Sequence, residues 1–177
     1  MVDAREFAKA LFLLSEEEGN SDSTLGDVRL AEAVFSENPD YVKLLDTPAI
    51  EKSEKLSLID DALSSVNVNL KNLIKILCER HSVYEISRVC AAYSALYDES
   101  RGIERVEAIT AVPMSEEQLS ALAEKLERIT SKRVVINNQT DPSILGGIKL
   151  RYSGVQLDGS VKTRLDSFEE KLKSIVI

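Results

Sequence analysis

The chain has 177 residues, 44% of them hydrophobic and 29% charged, with a formal net charge of −8. That length buries an adequate core as one medium domain or two small ones, and the acidic balance provides no basic stripe for nucleic acid. Cys78 and Cys90 are the only cysteines, and no run approaches the roughly 20 apolar residues of a membrane span, so the composition argues against a disulfide framework and an integral membrane protein.

The charge is unevenly placed. Residues 1–102 hold 11 Lys and Arg against 19 Asp and Glu, whereas residues 103–177 hold 11 of each. A charge step at Gly102 predicts two modules, 1–102 and 103–177. The N-terminus opens directly in a charged helical pattern without an apolar signal core, which predicts a soluble intracellular protein that reaches a membrane only through a partner.

Taken in order, Asp3 with Glu6 predicts a capped first helix whose apolar residues Phe7, Ala8, Ala10, Leu11 and Leu14 share one broad face. Glu16 to Asn20 end it. A second helix is predicted over residues 23–37, with Leu25, Val28, Ala31, Val34 and Phe35 inward and Asn38-Pro39 as the stop. Asp40 is the expected cap of a short third helix that Thr47-Pro48 ends, and residues 50–63 form a fourth that buries Ile50, Leu56, Ile59 and Leu63. The fifth, residues 68–81, carries Leu70, Leu73, Ile74, Ile76 and Leu77, an apolar arc wider than one core contact requires. The sixth, residues 83–100, carries Ile86, Val89, Cys90, Tyr93, Leu96 and Tyr97.

After Gly102 the pattern changes. Residues 105–112 alternate as a strand ended by Pro113, and Ser115 with Glu117 and Gln118 opens a helix through about Ile129 that places Leu119, Leu122, Leu126 and Ile129 on one side. Val134-Val135-Ile136 reads as a second strand. Ile148 to Tyr152 and Val155 to Leu157 read as a hairpin split by Ser153-Gly154, and Ser160 caps a last helix carrying Val161, Leu165, Phe168 and Leu172. The fold class is therefore α+β: an N-terminal six-helix bundle followed by a small β-α-β-β-β-α domain.

Catalytic chemistry is poorly represented. Cys78 and His81, three apart on one helix face, imitate a thiol-imidazole pair but have no orienting Asn or Asp in the sequence pattern. Cys78, His81 and Cys90 would make a zinc site lacking a fourth ligand. Gly146-Gly147 lead into a strand, so a bulge or a close backbone approach fits better than a phosphate loop. Asp141 and Asp158 each sit in a turn where Asp serves local hydrogen bonds. No catalytic residue, metal site or cofactor is expected, and the two modules with a surplus apolar surface point to binding. An unrelated two-module adaptor and, further off, a small thiol enzyme or hydrolase are the alternatives.

The run Asp141-Pro142-Ser143-Ile144-Leu145-Gly146-Gly147, the Ile148-Lys149-Leu150-Arg151 strand, and Asp158-Gly159-Ser160-Val161-Lys162-Thr163-Arg164-Leu165 closely resemble the C-terminal signature of the delta-subunit family of bacterial F-type ATP synthases, homologous to the mitochondrial oligomycin-sensitivity-conferring protein. Ala4 to Leu11 resembles that family's first-helix motif, and Ala108 to Ala111 its first strand. The resemblance implies a stator component without an active site, peripheral on the cytoplasmic face of the bacterial plasma membrane. It implies that the N-terminal domain takes the N-terminal helix of an alpha subunit into a groove formed here by Phe7, Ala10, Leu11, Leu14, Leu73, Ile76 and Leu77. It also implies that the C-terminal domain joins the b subunits of the peripheral stalk. The chain departs from the family pattern in two places, with Glu6-Phe7 where Pro-Tyr is frequent and His81-Ser82 where Gly-Arg is common.

Overall fold

A computed structural model describes residues 3–152 and 154–161. Among them are seven α-helices and a four-stranded mixed sheet, an α+β arrangement in which the first six helices precede the first strand. The chain divides into two compact units, Met1–Tyr97 and Asp98–Ile177. The division falls ahead of Gly102, and within the second unit the carboxylate of Asp98 receives a two-pronged bond from Arg105, 2.9 Å on its longer arm.

The first unit holds α1 (Ala4–Glu17), α2 (Ser21–Glu37), α3 (Pro39–Asp46), α4 (Lys52–Ala62), α5 (Val68–Glu79), a 3-10 turn (Val83–Glu85) and most of α6 (Ile86–Ser100). Asp3 caps α1 by accepting from the Arg5 N–H at 3.0 Å. Asn38, not Asp40, stands at the N-cap of α3, and Pro39 takes its first helical position, where a missing N–H costs nothing. Asp40 instead pairs with Lys43 at 2.9 Å. Ile50 precedes α4, whose N-cap is Glu51.

Helix α5 is the hub of this unit: it packs on α1, α2, α4 and the 3-10 turn. Those contacts account for most of its wide apolar arc, since Leu70, Leu73, Ile74, Leu77 and Cys78 are buried, while Ile76 stays exposed. The core continues through Val28, Leu45, Ile59, Leu63, Val89 and Tyr93.

The second unit is built on β1 (Ile103–Thr110). Parallel to it lies β2 (Arg133–Thr140), reached through the crossover helix α7 (Glu116–Thr130); antiparallel on its other side lies β3 (Ile148–Tyr152), and β4 (Val155–Asp158) forms the far edge. Ser115 and Gln118 form a reciprocal capping box at the start of α7. Period-2 burial on β1 sends Val106 and Ala108 toward Leu126, Val134 and Leu150. The other face of the sheet carries a charged ladder, with Glu107 3.6 Å from Arg151 and Lys149 3.4 Å from Asp158.

Candidate functional site

The groove residues expected from the sequence lie on two helices that run antiparallel and touch at both ends. At one end the Arg80 guanidinium lies 5.7 Å from the centroid of the Phe7 ring, a cation–π contact between the C-cap of α5 and the first turns of α1. At the other, Asn69 Nδ2 donates to Glu18 Oε1 at 2.8 Å. Eleven positions separate Phe7 from Glu18, and eleven separate Asn69 from Arg80, so the helices stay in register for three turns, about 16 Å.

The seven residues divide by depth. Leu11, Leu73 and Leu77 are buried and belong to the core. Phe7 is half-buried and packs against that core. Ala10, Leu14 and Ile76 are exposed, Leu14 to 45% and Ile76 to 43%. Arg80, Asn69 and Glu18 were not singled out by apolar periodicity, because polar residues that close the ends of a groove leave no hydrophobic repeat. Val68, 60% exposed at the start of α5, extends the apolar surface beyond Asn69.

The end of α5 explains the departure at His81. This residue adopts φ 51, the left-handed conformation usual for glycine one position past a helix end. The Ser82 N–H reaches back to the Leu77 carbonyl at 2.9 Å and the His81 N–H to the Cys78 carbonyl at 3.1 Å, which is the Schellman pair of bonds. Arg80 is thereby held at the C-cap, over Phe7.

A thiol enzyme finds no support at Cys78. Its Sγ donates to the Leu45 carbonyl at 3.5 Å, and burial pushes the thiol pKa up, away from the nucleophilic thiolate. His81 Nδ1 lies 3.9 Å from Asp46 Oδ1 instead of addressing the thiol. Among the described residues no group of three or more His, Cys, Asp or Glu could hold a metal ion.

The expected C-terminal signature is a set of interlocked turns. Asp141 Oδ1 accepts from the Ser143 N–H at 2.9 Å, and the hydrogen bonds from Ser143 hold its carboxyl below the ordinary range. Asp158 Oδ1 accepts from the Ser160 N–H at 2.9 Å. Pro142 follows in the same turn. Gly147, at φ 86, lies so near the second turn that an added Cβ would come 2.5 Å from the Gly159 carbonyl and 2.8 Å from Ser160 Cα. Val161 N–H closes the arrangement on the Gly146 carbonyl at 3.0 Å. Leu165, Phe168 and Leu172 of the expected last helix lie outside the described residues, as does Ser153 of the hairpin turn.

Known proteins match this chain from end to end. The family model described as ATP synthase delta (OSCP) subunit matches residues 4–172. An ATP synthase subunit delta from Clostridioides difficile is 35% identical over 177 residues, covering 99% of this chain and 98% of that protein. One from Geobacillus sp. is 31% identical over 172 residues and covers 97% of both chains. A chain in the cryo-EM structure of the Toxoplasma gondii mitochondrial ATP synthase hexamer shares the fold, with a TM-score of 0.76 at 20% identity over 97% of this chain and 98% of that one. Shared sequence over nearly the whole length, with a shared fold, makes this chain a member of the ATP synthase delta (OSCP) subunit family.

Proposed function

We propose that this chain is a non-catalytic stator component of an F-type ATP synthase. The first unit acts as a six-helix N-terminal domain that takes the N-terminal helix of an alpha subunit into the groove between α1 and α5. The second unit acts as the C-terminal domain that joins the b subunits of the peripheral stalk. The chain works on the cytoplasmic face of the bacterial plasma membrane, reached through the complex; no helix among its described residues is long and apolar enough to cross a membrane.

The observation that supports this reading is that buried Leu11, Leu73 and Leu77 are accompanied on α1 and α5 by exposed Leu14 and Ile76, which we read as the floor and rims of a groove. A floor continuous with the core is already rigid, so a docking helix orders few side chains on this side and retains more of its contact energy as affinity. Proton-driven ATP synthesis asks the stator to resist torque, and two binding modules on one chain do so by attachment at both ends, where each contact raises the effective concentration of the other.

The test is titration of the full chain with a synthetic peptide of the alpha-subunit N-terminal helix. Leu14→Asp and Ile76→Asp alter exposed rims, so the helical circular-dichroism signal should persist while affinity falls at least about tenfold, the equivalent of 1.4 kcal/mol. Affinity equal to that of the unaltered chain in both variants overturns the groove assignment. Co-purification with b subunits tests the second unit, and its loss on altering only the first unit would contradict the division of labour.

A further inference from the structure

Lys55 is a buried cation without a partner, and it opens on a cleft. It lies on the inward face of α4, one turn before Ile59, and is 5% exposed. Its ammonium forms no hydrogen bond or ion pair with any described residue. A charge that deep has given up most of its hydration and has received no carboxylate in exchange, which leaves it short of an anion. The cleft that Lys55 helps to line has a volume of about 310 Å³, near the low end of the range for ligand pockets. Its apolar wall is Pro48, half-buried Ile50 and half-buried Leu56. None of the residues assigned to the alpha-subunit groove lines it, so it is a separate place on the first unit.

The other charges around the cleft are already engaged. Lys52 and Glu79, both in its lining, pair with each other at 2.9 Å. Asp46, at the end of α3, is turned to His81, with Oδ1 3.9 Å from Nδ1, and that oxygen is buried without a hydrogen bond. The backbone favours an anion as well. Helix α4 starts at the cleft with no side-chain bond at its N-cap, Glu51, so its first N–H groups add partial positive charge. The carboxyl end of α5 offsets this less, because the carbonyls of Ile76, Leu77 and Cys78 accept from the N–H groups of Arg80, Ser82 and His81.

We propose that this cleft binds a small organic carboxylate, with its oxygens on the Lys55 ammonium and its apolar body against Pro48, Ile50 and Leu56. One unpaired point charge suits a monoanion. A phosphate dianion calls for several converging donors and would set its oxygens against the apolar wall. This site is independent of the stator reading.

Amide spectra of the isotopically labelled full-length chain, titrated with hexanoate, test the site. Hexanoate should move the amides of Ile50, Lys55 and His81 with a Kd on the order of 1 mM. Neutral hexanol, which has the same tail, should bind at least about tenfold more weakly. Lys55→Met keeps most of the stem and removes the charge. It should weaken hexanoate about tenfold and leave the affinity for hexanol and the helical circular-dichroism signal unchanged. If that variant does not fold, the comparison of hexanoate with hexanol on the unaltered chain decides alone. Equal affinity for the two, unchanged hexanoate affinity in folded Lys55→Met, or shifts confined to other residues overturns the proposal. So does the absence of shifts at about 10 mM hexanoate, roughly ten times the expected Kd. Inorganic phosphate that moves the same amides at a lower concentration than hexanoate overturns the assignment to a carboxylate with an apolar body.

Discussion

Ser15 Oγ and Tyr93 Oη lie 2.8 Å apart in the buried interior of the first unit, 78 positions apart in sequence. The serine hydroxyl also reaches the Phe12 carbonyl at 2.8 Å, and the phenol approaches the Ser21 carbonyl at 3.4 Å. With the Phe12 and Tyr93 rings edge-on at 5.8 Å, this polar node fixes α6 against α1 and the start of α2. Tyr93→Phe keeps the ring and leaves the Ser15 hydroxyl with one partner fewer. It is expected to lower stability by about 1–2 kcal/mol, read as a reduced urea midpoint at unchanged slope; an unchanged midpoint would mean that the node adds nothing.

The core is sensitive to alkali. Burial, with Glu32 adding to it, pushes the Cys90 thiol from 9.0 to about 12, and burial pushes the Tyr41 phenol, which donates to the Leu58 carbonyl at 3.0 Å, from 10.0 to about 12. Both folded-state values are raised, so the stability these protons contribute is fully present below pH 9 and is lost as the pH rises toward 12. Urea unfolding at stepped pH should show stability falling across this window, and Cys90→Ala should flatten the first part of the fall. An identical pH slope in the variant would count against the thiol.

His81 holds a backbone conformation that suits glycine better. At φ 51 a side chain costs roughly 1–2 kcal/mol in local sterics, offset in part by the larger unfolded-state entropy of glycine. His81→Gly is therefore expected to raise stability by about 0.5–1 kcal/mol, seen as a higher urea midpoint. A lower midpoint would show that the 3.9 Å approach to Asp46 outweighs the backbone term.

Gly147 has no room for a methyl group. With a carbonyl 2.5 Å from the added carbon and φ at 86, Gly147→Ala must push the two turns apart. The expected cost is about 2–4 kcal/mol, confined to the second unit. Hydrogen exchange should then accelerate in β1 and β3 while α5 stays protected; uniform protection throughout would show that the turns move apart at little cost.

Floor and rim of the groove should separate under truncation. Leu11→Ala removes a buried side chain and is expected to cost about 2–5 kcal/mol. Leu14→Ala, at an exposed position, should stay within about 0.5 kcal/mol while weakening the alpha-subunit peptide. Thermal melts and peptide titrations on the two variants measure both effects, and equal destabilisation would mean that the rim is core.

Much of the fold was legible where a residue acts on its neighbours. The Ser115–Gln118 box and the period-2 burial of β1 are local devices, and both appear in the sequence as they appear in space. Features set by distant partners were not. Asn137 to Thr140 have poor strand propensity, yet they extend β2 to match β1 residue for residue, and Asn138 is held by donating to the Ala108 carbonyl and to Thr110 Oγ1 at 2.9 Å each. The expected helix from Val83 begins instead as a 3-10 turn before α6, after the left-handed turn at His81. The family resemblance, and not apolar spacing, pointed to a groove between the first and fifth helices, and spacing could not divide Leu11 from Leu14 or Leu77 from Ile76, because one helical stripe serves core and surface alike and only the neighbouring helix decides where burial stops.

The eleven-residue register between the Phe7–Arg80 and Asn69–Glu18 contacts also has a mechanical meaning. A helix lying lengthwise over three turns resists a pull along its axis in shear, because every anchor must slip at once and the load is shared. The same helix pulled across the groove peels away one turn at a time. Under the proposed docking, a tether that must hold under torque is strongest when the force runs along α1 and α5, the axis that the Phe7–Arg80 and Asn69–Glu18 contacts close at either end.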